Sequence, residues 1–210
     1  MAGGNGAVES IAMVTYPYFD AEANPSHEYL LPTVLEILSA QPARRIFEVG
    51  CGNGAIARAL ESRGFEVTGV DPSESGIAHA AHPRLREGSA YDDLAAQYGR
   101  FPIVMSLEVV EHCFSPRAFA KTCFDLAEPG GLAVVSTPFH GYWKNLALSA
   151  TGKMDAHFTA LWDGGHIKFW SEMTLRALLA EAGFESIEFR RVGRMKVVAK
   201  SMIAVARKPR

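Results

Sequence analysis

Gly50, Gly52 and Gly54 follow, two residues apart, directly on a short apolar run of Ile46, Phe47 and Val49 within the stretch Arg44 to Gly54. The run is too short for a helix and ends abruptly in glycine, so it predicts a buried strand entering a tight turn. From Gly54 the period changes. Ile56, Ala57 and Leu60 lie at helical spacing, and Gly64 with Phe65 behind it supplies a helix stop, in which glycine takes the left-handed position and the apolar residue covers the end. The next strand, Glu66 to Val70, finishes at Asp71. Strand, glycine turn, helix and a second strand ending in an acid make the first half of an open doubly wound α/β sheet, where ligands bind beyond the carboxyl ends of the strands. The glycines would admit a ligand against bare backbone. Asp71 would accept hydrogen bonds from both hydroxyls of a ribose.

Length and charge narrow the partners. A chain of 210 residues with 48% hydrophobic and 21% charged residues suits one globular domain with a full core. Its formal charge of −2 gives no overall nucleic-acid footprint, so nucleic acid is not expected as a partner. From Arg190 onward every charge is basic, ending in Arg207, Lys208 and Arg210; this reads as a solvated edge and tail, with contact to an anionic surface as the alternative. Cys51, Cys113 and Cys123 lack close metal spacing, and reduced thiols account for them. No run approaches the length of a membrane span, and Met1 to Gly6 has neither the basic nor the apolar region of a secretory leader, so a cytoplasmic location is expected.

Met1 to Gly6 is expected to be disordered, within an N-terminal segment, residues 1–24, that is either flexible or a lid. Tyr16, Tyr18 and Phe19 around Pro17 are expected to pack over the ligand pocket or the domain. Ser26 is read as the cap of a helix from His27 to about Ser39. Glu74 to Ala81 reads as a short helix, Arg84 to Glu87 as a weak third strand, Gly88 to Tyr91 as a turn, and Pro102 to Leu107 as a central apolar strand. Ser115 and Pro116 start a helix that stops before Pro129, and Leu132 to Val135 forms the fifth strand. Residues 137–170 are irregular and rich in aromatics and histidines, and are expected to form a lid or substrate loop. Ser171 caps a helix running through Ala182, and Glu185 to Arg191 and Ser201 to Ala206 are the last two strands. No linker or repeat interrupts a single domain over residues 1–210.

One cluster carries chemistry. Glu108, Glu111 and His112 follow the central strand, and as the first turn of a helix their spacing would put both carboxylates and the imidazole on one face. Two such carboxylates repel unless something positive lies between them, and a divalent metal would do so.

Ala55 stands where a dinucleotide fingerprint has its third glycine, which argues against a nicotinamide-linked oxidoreductase. The G-x-G-x-G form, with Glu48 before it and Asp71, Pro72 and Ser73 after the second strand, instead resembles class I S-adenosylmethionine-dependent methyltransferases. Pro129-Gly-Gly131 before a strand matches the same family, whereas Pro102 stands in the region where many members have an aspartate. The resemblance implies a Rossmann-like, doubly wound, seven-stranded, mostly parallel sheet with a C-terminal antiparallel hairpin. It implies S-adenosylmethionine as cofactor, bound by Glu48, Gly50, Gly52, Asn53, Gly54, Asp71, Pro72, Ser73, Ser89, Ala90 and Leu107.

The E-x-x-E-H run is similar to that of the ubiquinone-biosynthesis O-methyltransferases, and small-RNA 2′-O-methyltransferases use similar residues to bind a divalent ion, with a later histidine. His166, in G-G-H-I-K-F-W-S, resembles that histidine. The resemblance implies a metal set of Glu108, Glu111, His112 and His166 for Mg²⁺, Mn²⁺, Zn²⁺ or a similar ion, with His112, His166 and Glu108 as catalytic residues and a small aromatic or catechol-like hydroxyl as methyl acceptor. Three alternatives stay open: a metal-free N- or O-methyltransferase with His112 or His166 as general base, purely structural roles for these residues, and a cofactor-binding interaction protein without catalysis. The acceptor's identity and the oligomeric state stay open as well.

Overall fold

The structure, a computed structural model, describes residues 16–210. The expectation of disorder over Met1 to Gly6 lies outside them. In chain order the elements are α1 (Pro25–Ser39), β1 (Arg45–Val49), α2 (Ala55–Glu61), β2 (Glu66–Asp71), α3 (Glu74–Ala80), β3 (Leu85–Glu87), α4 (Leu94–Tyr98), β4 (Phe101–Leu107), a 3₁₀ turn (Val110–His112), α5 (Pro116–Leu126), β5 (Ala127–Pro138), α6 (Tyr142–Ala150), α7 (Met154–Phe158), α8 (Glu172–Glu181), β6 (Glu185–Val192), a second 3₁₀ turn (Lys196–Val198) and β7 (Ser201–Arg207). Among the described residues seven strands form one sheet in the order β3-β2-β1-β4-β5-β7-β6. The first five run parallel, and β7 is antiparallel to both β5 and β6. This is the mostly parallel, doubly wound sheet with a terminal hairpin.

Both faces of the sheet are covered, which is why β1 and β4 are apolar almost throughout rather than alternating. Ile46 joins one core with Leu30, Val34 and Leu38 of α1 and Ile56, Ala57 and Leu60 of α2. Its neighbour Phe47 joins the opposite core with Phe119 and Leu126 of α5 and Leu175 and Leu179 of α8. From β1 the chain winds outward through β2 to β3, then returns to place β4 on the other side of β1. That reversal opens a crevice beyond the carboxyl ends of β1 and β4.

Several element starts differ from the sequence expectation. Helix α1 begins at Pro25 with Asn24 as its N-cap, and Ser26 lies inside the first turn; proline suits that position because its missing N–H would be unpaired there. Ser115 occupies the N-cap of α5 without a side-chain cap bond. Ser171 caps α8 as expected, its Oγ accepting from Thr174 N at 3.3 Å. The stretch 137–170 holds two helices, α6 and α7. All three cysteines are buried and free, and among the described residues no helix is long and apolar enough to cross a membrane.

Phe47 is fully buried, with ring centroids 5.2 Å from Tyr98 and 5.1 Å from Phe101. Phe47→Ala is expected to lower the free energy of unfolding in urea by about 3–5 kcal/mol, because the sheet cannot collapse onto the space left. A loss below about 1 kcal/mol would contradict this packing.

Candidate active site

Strand β1 ends in a turn tied to its neighbour: the amides of Gly50 and Cys51 both donate to Val70 O, at 2.8 and 3.0 Å. Gly50 has φ +83°, and a Cβ there would lie 2.4 Å from Val109 Cγ2. Gly52 has φ +51°, and its Cβ would lie 2.4 Å from Tyr18 Oη. Only glycine fits either place without displacement. Asp71, at the end of β2, accepts from Gly52 N through Oδ2 at 2.8 Å and from Ser73 N through Oδ1 at 2.9 Å. A carboxylate keeps further lone pairs beyond these two bonds. Burial pushes the Asp71 carboxyl upward, partly offset by the same two amides. Glu48 is 2% exposed and its Oε2 has no partner; burial first, and the Asp71 charge second, push it up to about 8.

A strap crosses this turn. Ser73 Oγ donates to Tyr16 O at 2.7 Å, and Tyr18 N donates to Ser75 Oγ at 3.0 Å. Asn53 Nδ2 donates to Asp20 O and Glu22 O at 3.0 and 2.8 Å, and Arg58 reaches Ala21 O. The aromatic segment at Tyr16 therefore covers the glycine turn, and the amide of Asn53 is taken up in holding it there.

Glu108 is not part of a helical turn, which corrects the one-face reading. It has φ +55°, held by its amide donating to Ser136 O and Ser136 Oγ at 3.2 and 3.0 Å. Its carboxylate accepts from Ser136 Oγ at 2.7 Å and Ser201 Oγ at 3.0 Å. Burial raises it to about 7 against those two bonds.

The 3₁₀ turn that follows carries Glu111 inward. Its carbonyl accepts from Ile167 N and Lys168 N, both at 3.0 Å, drawing the loop after α7 onto the turn and bringing His166 to the Glu111 carboxylate. His166 Nε2 lies 4.0 Å from Glu111 Oε1. Glu111 is 1% exposed, and its carboxylate is offset only by its own backbone amide and the Thr137 hydroxyl. Burial, then the charge of Glu108, holds its carboxyl well above the usual range.

His112 Nδ1 lies 2.8 Å from Gly164 O and 3.1 Å from Gly165 O. Carbonyls only accept, so Nδ1 carries the proton and Nε2 presents a bare lone pair. Burial lowers both imidazoles, His166 to about 4, and keeps them neutral. Ligand atoms of Glu111, His112 and His166 lie within 4.8 Å of one another. Glu108 is not in that group. Trp162 packs against both histidines, at 5.9 and 5.4 Å between ring centroids.

A cavity of about 930 Å³ runs from the glycine turn to this group. Glu48, Gly50, Gly52, Asn53, Asp71, Pro72, Ala90, Leu107, Glu108, His112 and His166 line it, while Gly54, Ser73, Ser89 and Glu111 do not. Residues that no motif marked complete the site: Ser136 and Ser201 on Glu108, and Lys144 in the cavity lining. The Gly164 carbonyl on His112 belongs to the glycine pair before His166, the one local signal among these.

Residues 22–188 match the model of a family described as methyltransferase domain. The chain is 36% identical over 148 residues to the ubiquinone biosynthesis O-methyltransferase of Caulobacter sp. strain K31, a stretch covering 65% of this chain and 57% of that protein. The chain thus spans less than two thirds of that relative. Among solved structures it is similar to a SAM dependent methyltransferase from Archaeoglobus fulgidus (TM-score 0.67, 18% identity, 85% of this chain and 93% of the other). It is also similar to the magnesium protoporphyrin IX methyltransferase of Synechocystis PCC 6803 with bound SAH (TM-score 0.65, 21% identity, 91% and 90%). At these identities the two structures speak to the fold alone.

The buried acids set a pH dependence. Glu48 titrates near 8 in the folded protein against an ordinary 4.5, so between these values the folded state binds the extra proton. Its stabilising contribution is complete below the ordinary value and is lost as pH rises through the folded one. The lowered histidines act oppositely, but only below about pH 6.5. The melting temperature of the ligand-free protein is therefore expected to fall between about pH 7 and pH 8.5, and less steeply in Glu48→Gln. An unchanged slope in the variant would contradict the assignment.

Proposed function

The chain belongs to the methyltransferase domain family as a class I S-adenosylmethionine-dependent methyltransferase, and from that premise we propose that it methylates a hydroxyl oxygen of a small aromatic acceptor. We assign Glu111, His112 and His166 as the residues that hold a divalent metal beside that oxygen. The observation that carries the assignment is the Glu111 carboxylate, 1% exposed, offset only by its own backbone amide and the Thr137 hydroxyl and with no cation paired to it, next to two imidazoles with which it forms one ligand cluster. An isolated buried carboxylate is strongly unfavourable unless protonated or given a cation. The name of the Caulobacter relative supports oxygen as the atom methylated.

The cofactor's sulfonium would supply an electrophilic methyl group. In the cavity lining, Gly50 and Gly52 keep the backbone bare, Asp71 has lone pairs left that would accept from ribose hydroxyls, and Pro72 and Ala90 are the residues that would lie against the base. Glu48 offers an unpartnered oxygen there. Ser73 fixes Asp71 from behind, and Ser89 sits in the loop preceding Ala90.

At the acceptor end the hydroxyl must lose its proton, since a phenol titrates near ~10 and its oxyanion is the better nucleophile. With that proton released to solvent, the oxygen lone pair would form the O–C bond as the C–S bond breaks, leaving a neutral thioether. A divalent ion supplies Lewis acidity that favours the ionised hydroxyl. His112 is oriented for ligation by its Nδ1 proton on Gly164 O, and one carboxylate with two imidazoles suits Mn²⁺, Zn²⁺ and similar ions as well as Mg²⁺. His166, lowered to about 4, is a weak base at neutral pH, which favours the metal over a general-base route.

Methyl transfer from labelled S-adenosylmethionine to catechols is expected to vanish on chelation and return with Mg²⁺, Mn²⁺ or Zn²⁺. Glu111→Ala is expected to lower kcat by about 100-fold while retaining affinity for S-adenosylhomocysteine. Activity indifferent to chelation and to Glu111→Ala would overturn the metal assignment, and transfer to bulk RNA with none to catechols would overturn the acceptor class.

A further inference from the structure

The same cavity is also lined by Ala147, Leu148, Phe158, Phe169 and Val198. Its acids Glu48 and Asp71 come from β1 and β2 beside the glycine turn and Glu108 from the end of β4, whereas its cations Lys144, Lys153, Arg194 and Lys200 come from α6, the turn before α7 and the link between β6 and β7. Among the described residues none of these four cations belongs to an ion pair. Lys200 lies over the Tyr29 ring at 4.8 Å, and Lys153 and Arg194 are exposed at the rim.

Lys144 is different because it is half-buried. Its Nζ donates to Phe139 O at 2.8 Å and, at a longer 3.5 Å, to Lys200 O, so the ammonium is fixed beyond the end of β5 with donor capacity left. The acid nearest in influence, Glu108, is already engaged by two serine hydroxyls. Burial first and the Arg194 charge second lower the Lys144 pKa, outweighing the opposing charge of Glu108. His140 on the same wall is 8% exposed and is engaged by the Asn145 side chain.

We propose that Lys144, with Arg194 and Lys153 at the rim, binds an anionic group of the acceptor, a carboxylate or a phosphate-like oxyanion, at the end of the molecule opposite the methylated hydroxyl. The acceptor is then an amphiphile, with its apolar body along the Phe158–Phe169 wall and its charge on Lys144. This rests on the methyl-transfer function proposed above and specifies its substrate class. Charge-assisted hydrogen bonds to an oxyanion are the stronger class of such contacts, and a site that leaves an ammonium unpaired discriminates against neutral isosteres.

The test is calorimetric binding to the full chain saturated with S-adenosylhomocysteine, using 3,4-dihydroxybenzoate, 3,4-dihydroxybenzylphosphonate and uncharged 3,4-dihydroxybenzamide. At least one of the two anions is expected to bind about tenfold more tightly than the amide, and the order of the two identifies the oxyanion preferred. Lys144→Gln is expected to erase the preference without changing affinity for S-adenosylhomocysteine, and Lys144→Arg to keep it. Equal affinities, a preference that survives Lys144→Gln, or no binding of any probe below about 10 mM would overturn the proposal. Loss of S-adenosylhomocysteine binding by the unmodified protein would instead overturn the methyl-transfer premise, and this inference with it.

Discussion

Two amides converging on one carbonyl, Gly50 N and Cys51 N on Val70 O, fix the turn on which the rest of the site depends. They lock the end of β1 against β2, so that Asp71 reaches back to Gly52 N and the glycine turn cannot open independently of the second strand. With β4 paired on the other side of β1, Glu108 and the 3₁₀ turn emerge beside the same crevice. A second convergence, Ile167 N and Lys168 N on Glu111 O, then pins the long loop over it. Two backbone oxygens thus join the glycine turn to β2 and the 3₁₀ turn to the loop after α7, each by ordinary hydrogen bonding.

The site concentrates what a folded chain normally avoids. Glu48, Asp71, Glu108 and Glu111 are all held above their ordinary titration range, with burial the leading cause for each. Asp71 and Glu108 are compensated by protein donors, whereas one oxygen of Glu48 is not and Glu111 is offset only by its own backbone amide and the Thr137 hydroxyl. The two cores on either face of the sheet must outweigh the cost of such groups, and buried carboxylates with poor compensation mark candidate functional positions. Glu108 also carries a left-handed backbone, a conformation that surrounding structure must enforce.

Legibility followed locality. The first β-α-β unit could be read because its apolar run, glycines and acid lie within one short window, and Gly64 and Phe65 mark the helix end, with Phe65 N on Leu60 O. The left-handed φ of Glu108 leaves no trace in residue type, so the i, i+3, i+4 spacing of Glu108, Glu111 and His112 suggested a helical face that the backbone does not make. Helix α6 was hidden for another reason: it lies in a stretch whose aromatics and histidines read as an irregular loop, and it buries no residue, with Tyr142, Trp143 and Leu146 exposed. Helix α4, five residues long, is too short for periodicity. Ser136 and Ser201 meet Glu108 from two other strands, and such convergence is written in sheet order rather than in any local pattern.

The most direct measurement of the central claim is a calorimetric titration of Mn²⁺ or Zn²⁺ into metal-stripped protein saturated with S-adenosylhomocysteine, repeated with Glu111→Gln. The account predicts one equivalent bound by the unmodified protein and none by the variant, with the thioether product held equally by both. Product binding with no metal uptake, or uptake that persists in Glu111→Gln, would contradict it.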